Sequence, residues 1–494
     1  MPQRALRLSA AVAVAMAATA VAVPAAQAAP AAPVAAGDDF NGDGVADVAV
    51  AAPRATVSGK REAGYVSVNY GIRGVDPQTA VHGKVYHQNT PGIPGSAEAG
   101  DLFGSALTSG DLDGDGYDDL VVGSSNEASG TLWGNGSLTV LWGGPHGLSG
   151  ATVVKGARSG QRLGEALTAG DFDGDGRPDL ATGTTVAHGP FDRTSGAART
   201  EAMDVEVGGS AEELWNPPAL ASGDIDGDGI DDVVAVVSHG SGELPYHGPR
   251  LVQYLAGGEE GLTPARTLTD AGTGEALDGG RSVAVGDLDR DGYADIVLGR
   301  ASEADMDGTE EVNALGGAIE VVPGGAGGPD TAGPRPFLHQ DSPGVPGSAE
   351  SMDGFGESVS LGDVNRDGHL DLAVGAGGED VGTRADAGSV TVLLGTASGL
   401  TGTGAKSFTQ NTASVPGTAE RGDRFGHAVR LADTDGDGRA DLFAGAPGEN
   451  EYAGCVWVLQ AGVTQIQGAG SISFGARSLG TVAAQAQLGS GFDD

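Results

Sequence analysis

Seven segments of this sequence gather oxygen-bearing side chains at a fixed spacing. Each follows the pattern D-x-[DN]-x-D-G-x-x-D, beginning at Asp39, Asp111, Asp171, Asp224, Asp287, Asp363 and Asp433. Counted from that first Asp, positions 1, 3, 5 and 9 offer carboxylate or amide oxygen, and position 7 offers its carbonyl. The candidate ligands are Asp39, Asn41, Asp43, Val45 and Asp47 in the first loop, and Asp111, Asp113, Asp115, Tyr117 and Asp119 in the second. The third and fourth supply Asp171, Asp173, Asp175, Arg177, Asp179 and Asp224, Asp226, Asp228, Ile230, Asp232. Asp287, Asp289, Asp291, Tyr293 and Asp295 form the fifth set, and Asp363, Asn365, Asp367, His369 and Asp371 the sixth. Asp433, Asp435, Asp437, Arg439 and Asp441 complete the seventh. An all-oxygen set of this kind suits Ca²⁺, which takes six to eight such ligands at about 2.3–2.6 Å, and suits Mg²⁺ less.

Glycine at position 6 recurs in all seven copies, where the chain turns sharply to bring both ends onto one ion. A helical EF-hand loop would place a bidentate Glu at position 12, but that position holds Val50, Val122, Thr182, Ala235, Leu298, Val374 and Ala444. A strand-like run follows instead, so these read as β-hairpin calcium loops. Asp-Gly turns alone would also make good hairpins. They would not keep four acids together, whose mutual repulsion is unfavourable without a cation. Up to seven Ca²⁺ are therefore expected, each stapling a hairpin. No base or nucleophile recurs beside the loops, so the ions are expected to be structural.

The elements that position these loops repeat with them. Loop starts are separated by 53 to 76 residues. Short β-branched runs follow the acids, as in LVVGSS at 120–125, VVAVVS at 233–238 and LAVGAG at 372–377, and read as buried strands. A further strand follows in most copies, for example SLTVLWGG at 137–144. Phe103-Gly104, Phe355-Gly356 and Phe425-Gly426 each precede the next loop at one offset, with Leu163-Gly164 equivalent. The segments 87–104, 339–356 and 409–426 are near copies joining one unit to the next. About four strands per unit, repeated seven times without an amphipathic helix, predict an all-β seven-bladed β-propeller; the units are too long for a linear solenoid. Leu488-Gly489 aligns with the Phe-Gly pairs, so the strand 485–494 is expected to complete the first blade.

Composition narrows the classes. The chain has 494 residues, a formal net charge of −40, 88 glycines and one cysteine, Cys455. Such acidity argues against nucleic acid and anionic membrane as partners. A single cysteine permits neither an internal disulfide nor a cysteine-based zinc site. Residues 1–28 combine Arg4 and Arg7, an apolar run from Ala10 to Val23 and Ala26-Gln27-Ala28, the features of a cleaved signal peptide. The run is short for a membrane span, and no second one follows. A secreted, monomeric product spanning 29–494 as a single propeller is expected.

The Phe-Gly position, the acidic loop and the Gly445-Ala446-Pro447 strand end, with Ala51-Ala52-Pro53 as a near variant, resemble the FG-GAP repeat. That repeat builds the seven-bladed propeller at the N-terminus of integrin α subunits. The resemblance runs from about residue 37 to 494, and the seven loops match the family's calcium loops. It implies extracellular binding or adhesion, with ligands met on the face away from the calcium hairpins. Such propellers also accompany glycosylphosphatidylinositol-specific phospholipase D, whose separate catalytic domain has no room in this chain.

Searches for a nucleophile elbow, a zinc-protease helix or a phosphate-binding loop are negative. No catalytic residues are assigned, and an enzyme is not expected. His87 and His339 hold equivalent repeat positions, which favours a structural role. Arg421-Gly422-Asp423 spells the tripeptide of integrin ligands, but its Asp belongs to the repeat and its Arg is incidental. Irregular stretches at 183–219, with Trp215 and Phe191, and at 301–315 are candidate binding loops. Trp133, Trp142 and Trp457 add aromatic surface or core, the latter two within strand patterns. The expected function is an extracellular protein-binding or adhesion module; the alternatives are a propeller lectin for glycans or a secreted hydrolase working on the propeller face.

Overall fold

The structure is a computed structural model describing residues 38–74, 83–205, 219–238, 250–301 and 315–493. The expected signal peptide at 1–28, Trp215 and most of the 301–315 insertion lie outside the described residues. Seven antiparallel sheets form from Asp38 onward, each from strands consecutive in sequence. This is the seven-bladed propeller that the repeat predicts.

Blade 2 shows the plan. Phe103–Gly110 is innermost, followed outward by Asp119–Ser124, Ser137–Leu141 and Ala151–Lys155. Its second and third strands are buried throughout, because sheets face them on both sides, and this is why they are apolar runs rather than alternating ones. Inner strands at Thr168–Gly170, Ala219–Gly223, Ser282–Gly286, Ser358–Gly362 and Ala428–Ala432 repeat the arrangement in blades 3 to 7. The described part of the 183–219 stretch, up to residue 205, holds more regular structure than its composition suggests. Thr185–His188 and Arg199–Ala202 are the third and fourth strands of blade 3, and Phe191 is buried. Four-residue strands are too short to display periodicity, which hid them.

Phe103, Leu163, Phe355, Phe425 and Leu488 are buried where one blade meets the next. The glycine that follows each has φ between 84° and 95°, a left-handed backbone that other residues adopt at a cost. In Gly164, Gly356, Gly426 and Gly489 the carbonyl also presses on a glycine of the preceding blade. A Cβ on Gly375 would lie 1.9 Å from the Gly426 oxygen, and one on Gly445 2.0 Å from the Gly489 oxygen.

Blade 1 has three strands of its own, Val48–Ala52, Tyr65–Asn69 and Gly83–Tyr86. Residues 489–493 run antiparallel along the inner edge of Val48–Ala52. Ala51 N donates to Gly491 O at 2.9 Å, Gly489 N to Ala51 O at 3.0 Å, and Val50 bridges Phe492. The ring therefore joins its two ends within one sheet.

Candidate metal centres

Each acidic loop leads directly into the second strand of a blade, so all seven lie on one face of the ring. Position 2 plants the loop: Phe40, Leu112, Phe172, Ile225, Leu288 and Val364 are buried there. Thr434 takes the seventh place, and its hydroxyl donates to Asp441 Oδ2 at 2.7 Å. Position 1 folds the loop over itself. Asp111 Oδ1 accepts from Asp115 N at 2.9 Å and its Oδ2 from Gly116 N at 3.0 Å, and Asp433 holds Asp437 N and Gly438 N at 3.1 and 2.9 Å. Position 9 ties loop to blade. Asp119 Oδ2 accepts from Leu112 N, and its Oδ1 from Gly143 N at 2.7 Å, where the third strand ends.

Neighbouring loops are chained by backbone bonds. The N–H at position 8 donates to the position-1 carbonyl one blade earlier, from Asp118 to Asp39, Asp231 to Asp171, Ala294 to Asp224 and Ala440 to Asp363. Ala46 N to Asp433 O at 3.1 Å carries the chain from blade 7 back to blade 1. Pro178 has no N–H to give, and that junction keeps only the neighbouring bond to the position-2 carbonyl, Phe191 N to Leu112 O at 2.9 Å, which other blades make as Gly144 to Phe40, Gly258 to Phe172 and Gly325 to Ile225.

Carboxylates at positions 1, 3 and 5 converge within 4.8 Å in the loops at 111–119, 171–179 and 287–295; in the loop at 224–232 positions 1, 3 and 9 converge. The position-9 acids bear the electrostatic cost of this crowding. Burial, reinforced by the other loop carboxylates, pushes Asp47 up to about 8, Asp119, Asp371 and Asp441 up to about 7, and Asp232 and Asp295 up to about 6. Asp179 is raised as well, chiefly by burial. A buried anion beside other anions is unfavourable unless a cation is shared among them. Asp113 Oδ1 and Asp173 Oδ1 are buried without a hydrogen-bond partner. The donor set is hard oxygen, so the residues fit Ca²⁺.

Two loops receive basic side chains from outside the motif, while in the seventh Arg439, at position 7, places its own Nη1 3.0 Å from Asp437 Oδ2. Arg193, from the outer hairpin of blade 3, places its Nε on Asp113 and its Nη2 2.6 Å from Asp115 Oδ2, spanning positions 3 and 5 of the second loop. In the third loop His188 Nδ1 lies 3.1 Å from Asp179 Oδ2 and 3.3 Å from Asp173 Oδ2. Neither basic residue belongs to the repeated nine-residue motif, which is why motif reading missed them. One signal was available: His188 immediately precedes Gly189, the equivalent of Gly143.

The opposite face holds the Arg421-Gly422-Asp423 tripeptide. Asp423 is 3% exposed, and its Oδ2 accepts from Glu420 N at 2.7 Å, so its carboxylate serves the turn. Asp101 and Asp353 do the same for Glu98 N and Glu350 N. Trp142 and Trp457 are core, whereas Trp133 is 70% exposed. A cavity of about 450 Å³ opens where the inner strands converge, lined in part by Glu165, Arg281, Glu357 and His427. Burial pushes the Glu357 carboxyl up, but His427 at 3.1 Å and Arg424 outweigh it and hold the group below its ordinary value.

Comparison with known proteins decides the family. The FG-GAP repeat matches residues 34–69, 355–393 and 425–459, and the FG-GAP-like repeat matches 111–182 and 224–298. The chain is an FG-GAP repeat protein. It is 35% identical over 160 residues to a phosphatidylinositol-glycan-specific phospholipase D of Rattus norvegicus. It is 31% identical over 166 residues to integrin alpha-PS5 of Drosophila melanogaster, and 35% over 130 residues to integrin alpha-6 of Homo sapiens. These matches take in 32%, 31% and 26% of this FG-GAP chain, and 18%, 15% and 10% of those relatives. An exotype rhamnogalacturonan lyase, YesX, aligns over 84% of this chain and 70% of its own, with 14% identity and a TM-score of 0.38. Among the described residues no helix is long and apolar enough to cross a membrane.

Proposed function

We propose that this FG-GAP protein is an exported, calcium-stabilised module that binds an extracellular protein through the face opposite its acidic loops. One observation carries the reading. In a four-stranded meander the connections from strand 2 to 3, and from strand 4 to the next blade, share one face, and the acidic loops occupy the other. Of the six large apolar side chains that are exposed among the described residues, Trp133, Met352, Tyr452 and Val482 sit on the first of these faces. Exposed aromatic and methionine side chains on a rigid frame are the usual anchors of protein recognition. The integrin relatives support a binding role. The phospholipase relatives keep a hydrolase in view.

The test uses the mature chain and a variant carrying Trp133→Ser, Met352→Ser and Tyr452→Ser. Both are applied to a solid-phase panel of purified extracellular proteins, to a glycan array, and to a glycosylphosphatidylinositol-anchored protein to detect cleavage. Retention on a protein that drops at least tenfold in the variant supports the proposal. Retention confined to glycans, or cleavage of the anchor without retention, replaces it with the lectin or the hydrolase.

A further inference from the structure

In all seven blades the position-9 carboxylate accepts a backbone N–H at the end of the third strand. The donors are Gly71, Gly143, Gly189, Gly257, Gly324, Gly395 and Ala461. This bond fixes the register, so the residues just before them are structurally equivalent: Tyr70, Trp142, His188, Ala256, Pro323, Leu394 and Gln460. His188 alone brings a ring nitrogen to the loop. Its side chain is 1% exposed, with Nδ1 facing Asp179 and Asp173 and Nε2 2.9 Å from Glu201 Oε1.

With Nε2 on Glu201, Nδ1 faces the two loop carboxylates, and His188, Asp173 and Asp179 form one compact cluster of potential ligand atoms. The separations, 3.1 and 3.3 Å, lie close to the roughly 3.3–3.4 Å between neighbouring ligands of a tetrahedral ion with bonds of about 2.0–2.1 Å. The buried Asp173 Oδ1 has no hydrogen-bond partner. Glu201 stands where a carboxylate orients a metal-bound histidine through its far nitrogen. Arg199 braces the outer acids, with Nη1 2.8 Å from Glu201 Oε2 and Nη2 3.1 Å from Asp173 Oδ2. Gly261, reaching over from blade 4 with φ +96°, covers the ring; a Cβ there would lie 3.0 Å from Glu201 Oε1 and 3.5 Å from His188 Cε1.

We propose that the loop at 171–179 is a mixed nitrogen–oxygen site for a borderline divalent ion of the Zn²⁺ type, with His188, Asp173 and Asp179 as ligands and Glu201 orienting the imidazole. Imidazole nitrogen favours such ions, whereas all-oxygen sets favour Ca²⁺. The inference rests on the geometry of one loop and not on the binding role proposed above.

The experiment equilibrates the tag-free mature chain with low-micromolar ZnCl₂ and CaCl₂ together, then measures both metals per chain by elemental analysis. One zinc per chain is expected, absent in His188→Gln, with calcium unchanged at the other loops. Glu201→Gln changes a half-exposed side chain on an outer strand, and should weaken zinc ten- to a hundredfold by titration while leaving the fold intact. On the unaltered chain, one equivalent of Cu²⁺ should show coupling to a single imidazole nitrogen by electron paramagnetic resonance. Zinc that is absent from the unaltered chain overturns the proposal. Zinc that persists in His188→Gln overturns it as well. Should that variant fail to fold, undiminished zinc affinity in Glu201→Gln decides against it. Calcium in the remaining loops is read in the same samples, so its loss would count against the calcium reading separately.

Discussion

Asp493 Oδ2 accepts a hydrogen bond of 2.8 Å from the backbone N–H of Ala49, a residue 444 positions earlier. The carboxyl is fully buried, and burial, with Asp38 nearby, raises it well above its ordinary value. This buried bond at the seam has a direct consequence. Asp493→Asn keeps an oxygen for Ala49 and should alter stability by less than about 1 kcal/mol. Asp493→Ala leaves the Ala49 N–H buried without a partner, at a cost of about 1–3 kcal/mol. Denaturant melts of the two variants should separate clearly, and equal midpoints would mean that the seam bond contributes little.

Calcium removal should destabilise the whole ring, because the loops are chained to one another by position-8 bonds such as Ala46 to Asp433. A site held at a hundredfold its dissociation constant contributes about 2.7 kcal/mol, so several sites together dominate the stability. Thermal unfolding in millimolar calcium and in excess EGTA tests this. A shift of less than a few degrees would leave the acidic loops as solvated hairpin tips.

Arg193 competes with a metal in the second loop, since its guanidinium already spans Asp113 and Asp115. Arg193→Gln should therefore raise bound calcium by one ion per chain at subsaturating calcium, measured by isothermal titration or elemental analysis. An unchanged count would show that the loop fills regardless of the arginine, or not at all.

Glu449 offers a pH dependence away from the loops. Burial first, and then the charge of Asp423, push its carboxyl up to about 7 from an ordinary 4.5. The folded state then holds a proton that the unfolded chain releases. This contribution to stability is complete below about pH 4.5 and disappears as pH rises through about 7. Glu449→Gln, which keeps a polar partner for Gln410, should flatten the melting-temperature profile across that window at fixed calcium. A profile that remains as steep would place the titration elsewhere.

The repeat made most of this architecture legible. Asp at positions 1, 5 and 9, Asp or Asn at position 3, Gly at position 6 and an apolar strand after the loop are demanded by local geometry in every blade, so they survive as a sequence period. The residues that distinguish one loop from another are not demanded by that geometry. Arg193 reaches the second loop from a hairpin 78 residues beyond Asp115, and His188 enters the third through a strand of four residues. Position 2 was also overlooked, because Phe40, Leu112 and Ile225 read as ordinary apolar residues until their burial shows them anchoring the loop. Pairwise placement across blades is tertiary information, and no spacing along the chain encodes it.

The pairing of 489–493 with Val48–Ala52 also sets how the ring would respond to force. The two segments run antiparallel, with Asp493 beside Ala49 and Gly489 beside Ala51. A load pulling residue 493 away from residue 48 thus acts at one end of the pair. It breaks the bonds of Asp493, Gly491 and Gly489 in succession rather than together. The seam behaves as a zipper under tension, and opening it should require less force than shearing any of the six blades built from consecutive strands.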